Sequence, residues 1–529
     1  MGKVLERCIH SHLNTFLKSN NIISESQSGF TEGDSTINQL IVIYNDLCKA
    51  HDQKITTQAI YFDISKAFDR VWHSGLLKKL DAIGIRGNML YFLKNYLSCR
   101  RQCVSLKGSL SDTQIIPAGV PQGSVLGPLL FLVYINDITE SIQSNIKLFA
   151  DDTSISQSHT NPTFRAQVLN SDLEAVSQWA ANWKINFNAT KTELMTIKRD
   201  NKVIEPLIFN NTTLNEVSEH KHLGLVLQNN CKWDRHIHNL IKKITPLLSC
   251  LKSYKYRLSR RSLDRIYRTF ILPIFDYADI IYDGCADYLS EELEKYNLEA
   301  IRTIIGLVKG TSRDKLYQES GHTSLKERRK RHKLIMFHKI IHQNCPTYLS
   351  NLCPPLVADM NPYHRRRPLE RFVPRCNSEI YSKSFIPSTT RLYNELPDGI
   401  KTSPSISLLK HHLRCNDPIV PVYFYHGNRK EQLLHTRLRL GMSDLNYDLY
   451  NRHLRNNTNC ACGFENENVE HYLLNCPNYI NVRANTIDTL PIELRTVQIL
   501  LHGKQELNLQ TNTNIFDIVQ NYIKQTNRF

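Results

Sequence analysis

The sequence has no apolar run long enough to cross a bilayer as a helix, so no helical membrane span is expected. The start, Met1-Gly2-Lys3-Val4-Leu5-Glu6-Arg7, lacks the apolar stretch of a secretory signal. The expectation is an intracellular protein of nucleus or cytoplasm, in which Asn188-Ala189-Thr190 is a chance match to a glycosylation sequon. No clear internal repeat and no long low-complexity segment is present, which speaks against a solenoid. The 14 cysteines are mostly scattered singly, so a disulfide framework is not indicated; reduced thiols buried as small hydrophobes are. Negative charge is also in deficit. Against 66 Lys and Arg stand 50 Asp and Glu, and the net charge of +16 favours a polyanionic partner, nucleic acid or an anionic membrane. A chain of 529 residues is too long for one core, and three or more packed units are expected.

Among the acids that remain, two sit side by side in an apolar stretch, Leu148-Phe149-Ala150-Asp151-Asp152. A second apolar-acidic stretch runs from Ala59 through Ile60-Tyr61-Phe62-Asp63-Ile64 to Asp69. Charges beside strand-like apolar runs are costly unless something pairs with them. Carboxylates brought together from two strands repel, and divalent cations are the natural remedy. Asp63 and Asp151 are the candidate principal ligands, and the Ile64 carbonyl is a further oxygen donor. Asp152 assists by ligation or by supporting the field; a solvated turn residue is the alternative. Two Mg²⁺ ions so held, or Mn²⁺ in their place, would activate a 3′-hydroxyl and steady a pyrophosphate leaving group, which is nucleotidyl transfer.

Between these stretches lies Pro117-Ala118-Gly119-Val120-Pro121-Gln122-Gly123-Ser124-Val125-Leu126-Gly127-Pro128. The three segments, in this order, resemble the core motifs of reverse transcriptases of non-LTR retrotransposons, most closely the jockey-like branch. The family pattern is F-D-x-x-K-A-F-D, then G-x-P-Q-G-S-x-L-x-P, then F-A-D-D. The resemblance implies an α+β right-hand polymerase with partial fingers, palm and thumb. It implies RNA-directed DNA polymerisation, with an RNA template, a DNA primer or target, and dNTPs. It places Phe68 beneath the incoming sugar as a block to a 2′-hydroxyl, although a core phenylalanine is the plainer reading. Gln122 and Gly123 would line the nucleotide pocket, where glycine permits close backbone approach. Lys191 would lie near the triphosphate, with a surface lysine as the equal alternative. His222, Leu223 and Gly224 fall in the family's primer-grip hairpin. In the loop Gln27 to Thr36, Thr31 replaces a usual basic residue and Asp34 adds negative charge, both of which would weaken phosphate contact.

Apolar periodicity predicts helices over 3–18 and near 87–98, one carrying Leu76, Leu77 and Leu80 stopped by Gly84, and one over 124–136. Ser35 or Thr36 is the expected cap of the helix carrying Leu40, Ile43 and Leu47, and Ser171 that of the helix reaching Trp183. Strands are expected over 59–64, 193–198, 204–209 and 222–227, with hairpins around Lys107-Gly108-Ser109 and Asp151-Asp152. From 234 to about 350 the pattern is helical. The basic and aromatic stretch Lys252 to Arg261 should open the thumb, and the denser run Lys326 to Lys333 fits nucleic-acid contact or nuclear import. Arg365-Arg366-Arg367 is a further local charge run.

Near the C-terminus, Cys460, Cys462, His471 and Cys476 form C-x-C-x8-H-x4-C. Three thiolates and an imidazole suit a structural Zn²⁺ site, a zinc-knuckle-like motif. The expected organisation is partial fingers over 1–58, palm with interleaved fingers over 59–230, and helical thumb over 231–300. A mostly helical basic region over 301–454 follows, then the knuckle over 455–485 and a tail over 486–529. The family's R-P-I-S-L fingers segment has no counterpart before Lys3, and neither an endonuclease domain nor an RNase H constellation is recognisable. The expectation is a truncated copy. A catalytically inactive relic that binds nucleic acid, or a zinc-dependent nucleic-acid-binding protein with the palm as scaffold, are the alternatives to an active polymerase.

Overall fold

A computed structural model describes residues 2–198, 205–360 and 368–529. The run Arg365-Arg366-Arg367 and the first residue of the expected 204–209 strand lie outside them. The chain divides into two compact units: residues 1–235, 280–284 and 333–406 form the first, and 236–279, 285–332 and 407–529 the second. The region expected as one piece over 301–454 is therefore shared between both.

The first unit opens with α1 (Gly2–Ser19) and α2 (Thr36–Asp52). The Ser35 hydroxyl caps α2, accepting from the Asn38 N–H. β1 (Thr56–Phe62) follows, then α3 (His73–Ala82) and α4 (Gly87–Leu97). Four two-residue strands make two nested hairpins: β2 (Arg101–Gln102) pairs with β5 (Gln114–Ile115), and β3 (Ser105–Leu106) with β4 (Ser109–Leu110). The turn at Lys107-Gly108 is where expected. All of α5 (Leu126–Ile135) except Pro128 is buried, as its unbroken apolar sequence demands.

β6 (Asn145–Phe149) and β7 (Asp152–His159) are joined at Ala150-Asp151. α6 (Pro162–Trp183) and β8 (Glu193–Ile197) come next. The short strands β9 (Ile208–Phe209), β10 (Thr212–Thr213) and β11 (Asn215–Glu216) precede β12 (Glu219–His222) and β13 (Leu225–Gln228). Five strands form one sheet in the order β11-β8-β1-β7-β6. β1 is central, antiparallel to both β7 and β8, and buried along its whole length. That burial on both faces explains its continuous apolar sequence.

Three local expectations change. β1 starts at Thr56 and ends at Phe62, and Ile64 makes only an isolated bridge to Phe187. Ser171 is inside α6, not at its start. Asn161-Pro162 is the stronger signal: the Asn161 side chain accepts from the Thr163 and Phe164 N–H groups, and Pro162 takes the first turn. The strand expected over 222–227 is a hairpin instead, β12 paired with β13. Leu223 at φ 44° and Gly224 at φ 86° supply the left-handed pair that a two-residue turn requires.

Among the described residues the second unit carries no strand. α7 (Asp234–Ser253) ends inside the basic and aromatic stretch, and the next helix, Arg260–Ile266, begins after a Ser259 cap. Lys252 to Arg261 thus spans a helix break. The expected tail is packed structure: Ile515, Val519 and Tyr522 of helix Leu509–Thr526 share a core with Leu438, Tyr472 and Leu473.

Candidate catalytic site and metal centres

Asp63 is the first residue beyond β1. Its carbonyl accepts from the Asn188 N–H at 2.9 Å, and the Ser65 N–H donates to the Asn186 carbonyl at 3.1 Å. Phe62 faces Thr153 in the β1–β7 register, so one step further sets Asp63 across from Asp152. Phe149 pairs with Asp152 across the β6–β7 hairpin, leaving Ala150 and Asp151 as its tip. Ala150 adopts φ 56°, a left-handed conformation that costs a non-glycine residue about 1 kcal/mol or more.

The loop that precedes α2 holds that conformation. The Gln27 side-chain carbonyl accepts from the Ala150 N–H at 2.9 Å and from the Gly29 N–H at 2.8 Å. The Ser28 N–H donates to the Leu148 carbonyl and the Leu148 N–H to the Ser26 carbonyl, each at 2.9 Å. Gln39 of α2 adds a third hand, donating from Nε2 to the Leu148 carbonyl at 2.9 Å. Gly29 is obligatory in size, because a Cβ there would stand 2.3 Å from the Ala150 nitrogen. Sequence reasoning placed this loop near a template and missed its bracing role. A glutamine and a glycine before a capped helix give no local signal of a partner more than a hundred residues away.

Burial first, then the charges of Asp151 and Asp63, hold the Asp152 carboxyl above the usual carboxylate range. Protonation relieves this repulsion, so Asp152 favours the fold below its ordinary value and that contribution is lost as pH rises through the raised one. No basic side chain among the described residues forms an ion pair with Asp63, Asp151 or Asp152. Their oxygens are also not among the ligand groups that converge within 4.8 Å. Three carboxylates with no basic partner among the described residues are a donor set that suits a hard divalent cation.

Around the aspartates, Phe68 stacks on Phe131 at 4.4 Å between ring centroids and meets Phe30 edge-on at 6.2 Å. The 117–123 loop is tied to the turn after β1. The Val120 N–H donates to the Phe68 carbonyl and the Gly119 N–H to the Val71 carbonyl, each at 2.8 Å. Gln122 donates from Nε2 to Asp69 at 2.9 Å, so Asp69 orients the Gln122 side chain. Gly123, at φ 80°, has no heavy atom within 4 Å of where a side chain would begin. Lys66, Arg100, Arg101, Asp69 and Gln122 line a cleft of about 680 Å³ here. Lys191 is exposed in the turn that follows Asn188, next to the Asp63 main chain.

His222 is buried, 4% exposed, and stands 5.2 Å from the Tyr61 ring. Burial, then the neighbouring His220, pull its imidazole down to about 3. The alternation of β12 turns His222 inward and Glu219 and Lys221 outward, and Gly224 is the exposed residue of the turn.

The basic run behaves differently from its expectation as well. Arg328 makes two hydrogen bonds to Asp276, at 3.0 and 2.5 Å. Arg331 makes two to Asp417, at 2.8 and 2.5 Å. His332 meets Asp279 at 2.7 Å, Lys333 meets Asp283 at 2.7 Å, and Arg329 is buried. Only Lys326 and Lys330 of the run's cations are exposed. Acids distant in sequence pair with Arg328, Arg331, His332 and Lys333, and Arg329 donates to the Ser290 hydroxyl.

The four C-terminal ligands do converge, all ligand atoms lying within 4.8 Å of one another. Cys460 Sγ is 3.8 Å from Cys476 Sγ, and Cys462 Sγ is 3.3 Å from His471 Nε2. A tetrahedral Zn²⁺ with Zn–S near 2.3 Å and Zn–N near 2.0 Å needs separations of about 3.8 and 3.5 Å. A disulfide would need about 2.05 Å, so Cys460 and Cys476 are not bonded to each other. Burial pushes the Cys476 thiol up to about 12. Cys462, against its own burial, is held below the usual thiol value by the Phe464 N–H and its cysteine neighbours. Phe464 stacks on His471 at 4.5 Å. The segment that bears these four residues is anchored in the surrounding unit: Arg528 grips Glu467 with two bonds of 2.7 Å, and Tyr472 bonds Thr526 at 2.7 Å.

Residues 1–227 match the family described as reverse transcriptase (RNA-dependent DNA polymerase). The probable RNA-directed DNA polymerase from transposon BS of Drosophila melanogaster is 28% identical over 365 residues, 64% of this chain and 40% of that protein. The RNA-directed DNA polymerases from mobile element jockey are 29% identical over 317 residues in D. melanogaster and 28% over 318 in D. funebris, each covering 58% of this chain and 34% of theirs. The chain thus spans about two fifths or less of the relatives it matches. No helix among the described residues is long and apolar enough to cross a membrane. Residues 1–227, with their three aspartates at one end of a braced sheet, thus match the reverse transcriptase family and are similar to its jockey-like non-LTR members.

Proposed function

We propose that this chain extends a DNA primer on an RNA template by nucleotidyl transfer from dNTPs. One observation carries the reading. Asp63 lies across the strand register from Asp152, next to Asp151 at the hairpin tip, all three uncompensated by any basic side chain among the described residues, on a hairpin held by close-fitting neighbours. In this reading the five-stranded sheet is the palm, α1, α2 and the loop between them belong to the fingers, and α7 with the helices after it forms the thumb.

Asp63 and Asp151 would hold two Mg²⁺ ions, with the Ile64 carbonyl and Asp152 beside them. Bound there, the metals lower the pKa of the attacking 3′-hydroxyl and stabilise charge on the pyrophosphate. The chain's own residues do the rest. The Gln27 loop keeps Asp151 in place. Phe68, locked between Phe131 and Phe30, presents a rigid ring to the sugar and disfavours a 2′-hydroxyl. Gln122, oriented by Asp69, and the unobstructed Gly123 receive the nucleotide. Lys191 lies where it can meet the triphosphate. At the β12–β13 turn the exposed Gly224 main chain, not the buried His222 ring, would support the primer end.

The C-terminal ligands would hold one structural Zn²⁺. The sulfur and nitrogen separations fit it, and the buried Cys476 thiol would lose its proton on binding. Extension of oligo-dT on poly-rA with Mg²⁺ tests the catalytic reading. Asp151→Asn is expected to abolish incorporation and leave template-primer binding nearly intact. Incorporation by that variant at the unmutated rate would remove Asp151 from the site.

A further inference from the structure

Residues 333–406 fold with the first unit although the family match ends at 227. Their helices Thr347–Ser350, Glu379–Lys383 and Phe385–Asn394 pack on α2. They also grip α2 at both ends. At its C-terminal end Asp52 accepts from the Asn377 N–H at 2.8 Å and from the Ser378 hydroxyl at 2.6 Å. Just before its N-terminal end Asp34 accepts from the Tyr348 hydroxyl, whose oxygen lies 2.6 and 2.7 Å from the two carboxylate oxygens. Asp34 also accepts from the Ser35 N–H at 2.7 Å and from Asn38 Nδ2 at 3.0 Å. The charge expected to weaken phosphate contact is thus already engaged.

The same Tyr348 hydroxyl stands 3.1 Å from the Ser28 hydroxyl. Ser28 is hydrogen-bonded through its N–H to Leu148, and its neighbours Gln27 and Gly29 sit against Ala150. Tyr348 therefore bonds both Asp34 and Ser28, and Ser28 bonds Leu148 while the adjacent Gln27 bonds Ala150, the residue before Asp151. Beside Asp34 and Tyr348 opens a cavity of about 470 Å³ that also reaches Gln27, Thr31 and Gly33. Close packing does not immobilise the loop on that side, so its hydrogen bonds must. Burial and the Asp34 hydrogen bond raise the Tyr348 phenol, which keeps it a donor throughout the working pH range.

We propose that Tyr348 is a positioning residue for nucleotidyl transfer, holding Asp34 and Ser28 so that the Gln27 loop fixes Ala150 and thereby Asp151. The proposal rests on the catalytic reading given above. It makes the segment 333–406 part of the polymerase unit and not an appendage. Tyr348 touches neither nucleotide nor metal and acts only through the loop.

Tyr348→Phe in the full chain keeps the ring and deletes the donor. Its turnover in primer extension is expected to fall about 10-fold, with KM for dNTP unchanged and the Mg²⁺ concentration for half-maximal rate raised severalfold. Mn²⁺ binding without substrate, read by electron paramagnetic resonance, should weaken in parallel. Asp34→Asn should give the same losses, and the double variant no more than either alone. Should Tyr348→Phe fail to fold, Asp34→Asn decides by the same readouts. Ser378→Ala loosens the other end of α2, beyond Gln39 and with no bond to the Gln27 loop, and should leave turnover and metal requirement unchanged. Unaltered turnover and metal binding in Tyr348→Phe overturns the proposal, as does an equal loss in Ser378→Ala. If the unmutated chain neither binds Mn²⁺ nor extends primers, the catalytic reading falls first and takes this one with it.

Discussion

One methyl group at position 29 puts the bracing of the β6–β7 hairpin, and the catalytic role proposed for it, to the test. The Cβ of Gly29→Ala would lie 2.3 Å from the Ala150 nitrogen, 2.8 Å from the Phe149 carbonyl carbon and 3.0 Å from Gln27 Oε1, whereas ordinary contact begins at 3.4 Å. Two of these atoms are backbone and cannot rotate away. Either the loop or the hairpin tip must retreat by about 1 Å, and overpacking of this kind costs about 1–3 kcal/mol. The loop is held on both sides by the Ser28–Leu148 and Leu148–Ser26 bonds, so the displacement falls on Ala150 and passes to Asp151. A misplacement of about 1 Å near a reacting centre lowers the rate by about 100-fold. Steady-state primer extension should show that loss in turnover, while template-primer affinity by fluorescence anisotropy stays level. Gly399→Ala meets nothing within 4 Å and is the matched control. A Gly29→Ala protein that melts at the unmutated temperature and incorporates dNTP at the unmutated rate would refute the bracing.

Three further outcomes follow from the geometry. Arg331→Ala should destabilise the protein by about 1–2 kcal/mol by stranding Asp417, yet leave the slope of log K against log salt for RNA binding unchanged; a flatter slope would show that Arg331 reaches phosphate after all. The unmutated protein should bind about one equivalent of Zn²⁺ and Cys476→Ser none, read by chelator competition, with extension on a homopolymer spared. His222 is neutral when folded, so its contribution is whole above the unfolded value of about 6.5 and is lost as pH falls toward about 3, amounting to about 2 kcal/mol at pH 5. Urea melts at pH 7 and pH 5 should therefore converge in His222→Phe, and an undiminished acid limb in that variant would assign the loss elsewhere.

The residues that sequence reading located well are those whose signal is local. The FDISKAFD and FADD stretches, the glycine-proline turn at 119–123 and the Cys-His spacing each lie within a short window; the structure sets Asp63 across from Asp152 and gathers the four Cys and His ligand atoms within 4.8 Å. What escaped depends on partners far along the chain. Gln27 and Ala150 are 123 positions apart, and Asp34 and Tyr348 are 314 apart. No periodicity links them. The helix start at Asn161 was missed for another reason: Ser171 has good capping chemistry, but an Asn-Pro pair upstream had stronger. The segment 455–485, expected as a domain of its own, shares a core with helix Leu509–Thr526: Tyr472 packs on Tyr522, and Arg528 bonds Glu467. A fragment cut at 485 would lose both.

The basic run carries the broader lesson about charge. A net +16 is a property of the whole chain and says nothing of where free cations lie. Lys326 to Lys333 is the densest cluster in the described sequence, and it is the one the fold consumes. Its arginines face Asp276 and Asp417, its histidine Asp279, its last lysine Asp283. A guanidinium making two bonds to a half-buried carboxylate is already satisfied and offers little to a phosphate. The charge that remains for nucleic acid is the dispersed part. Arg101 and Lys107 are exposed on the nested hairpins, Lys191 stands beside the Asp63 main chain, and Lys255 lies in the turn after α7. Spread singly over turns, these cations meet a backbone one phosphate at a time, and each should contribute about 0.7–0.9 to the salt slope. A block of four alanines in the run should therefore alter stability, whereas single changes at the turn lysines should alter the slope.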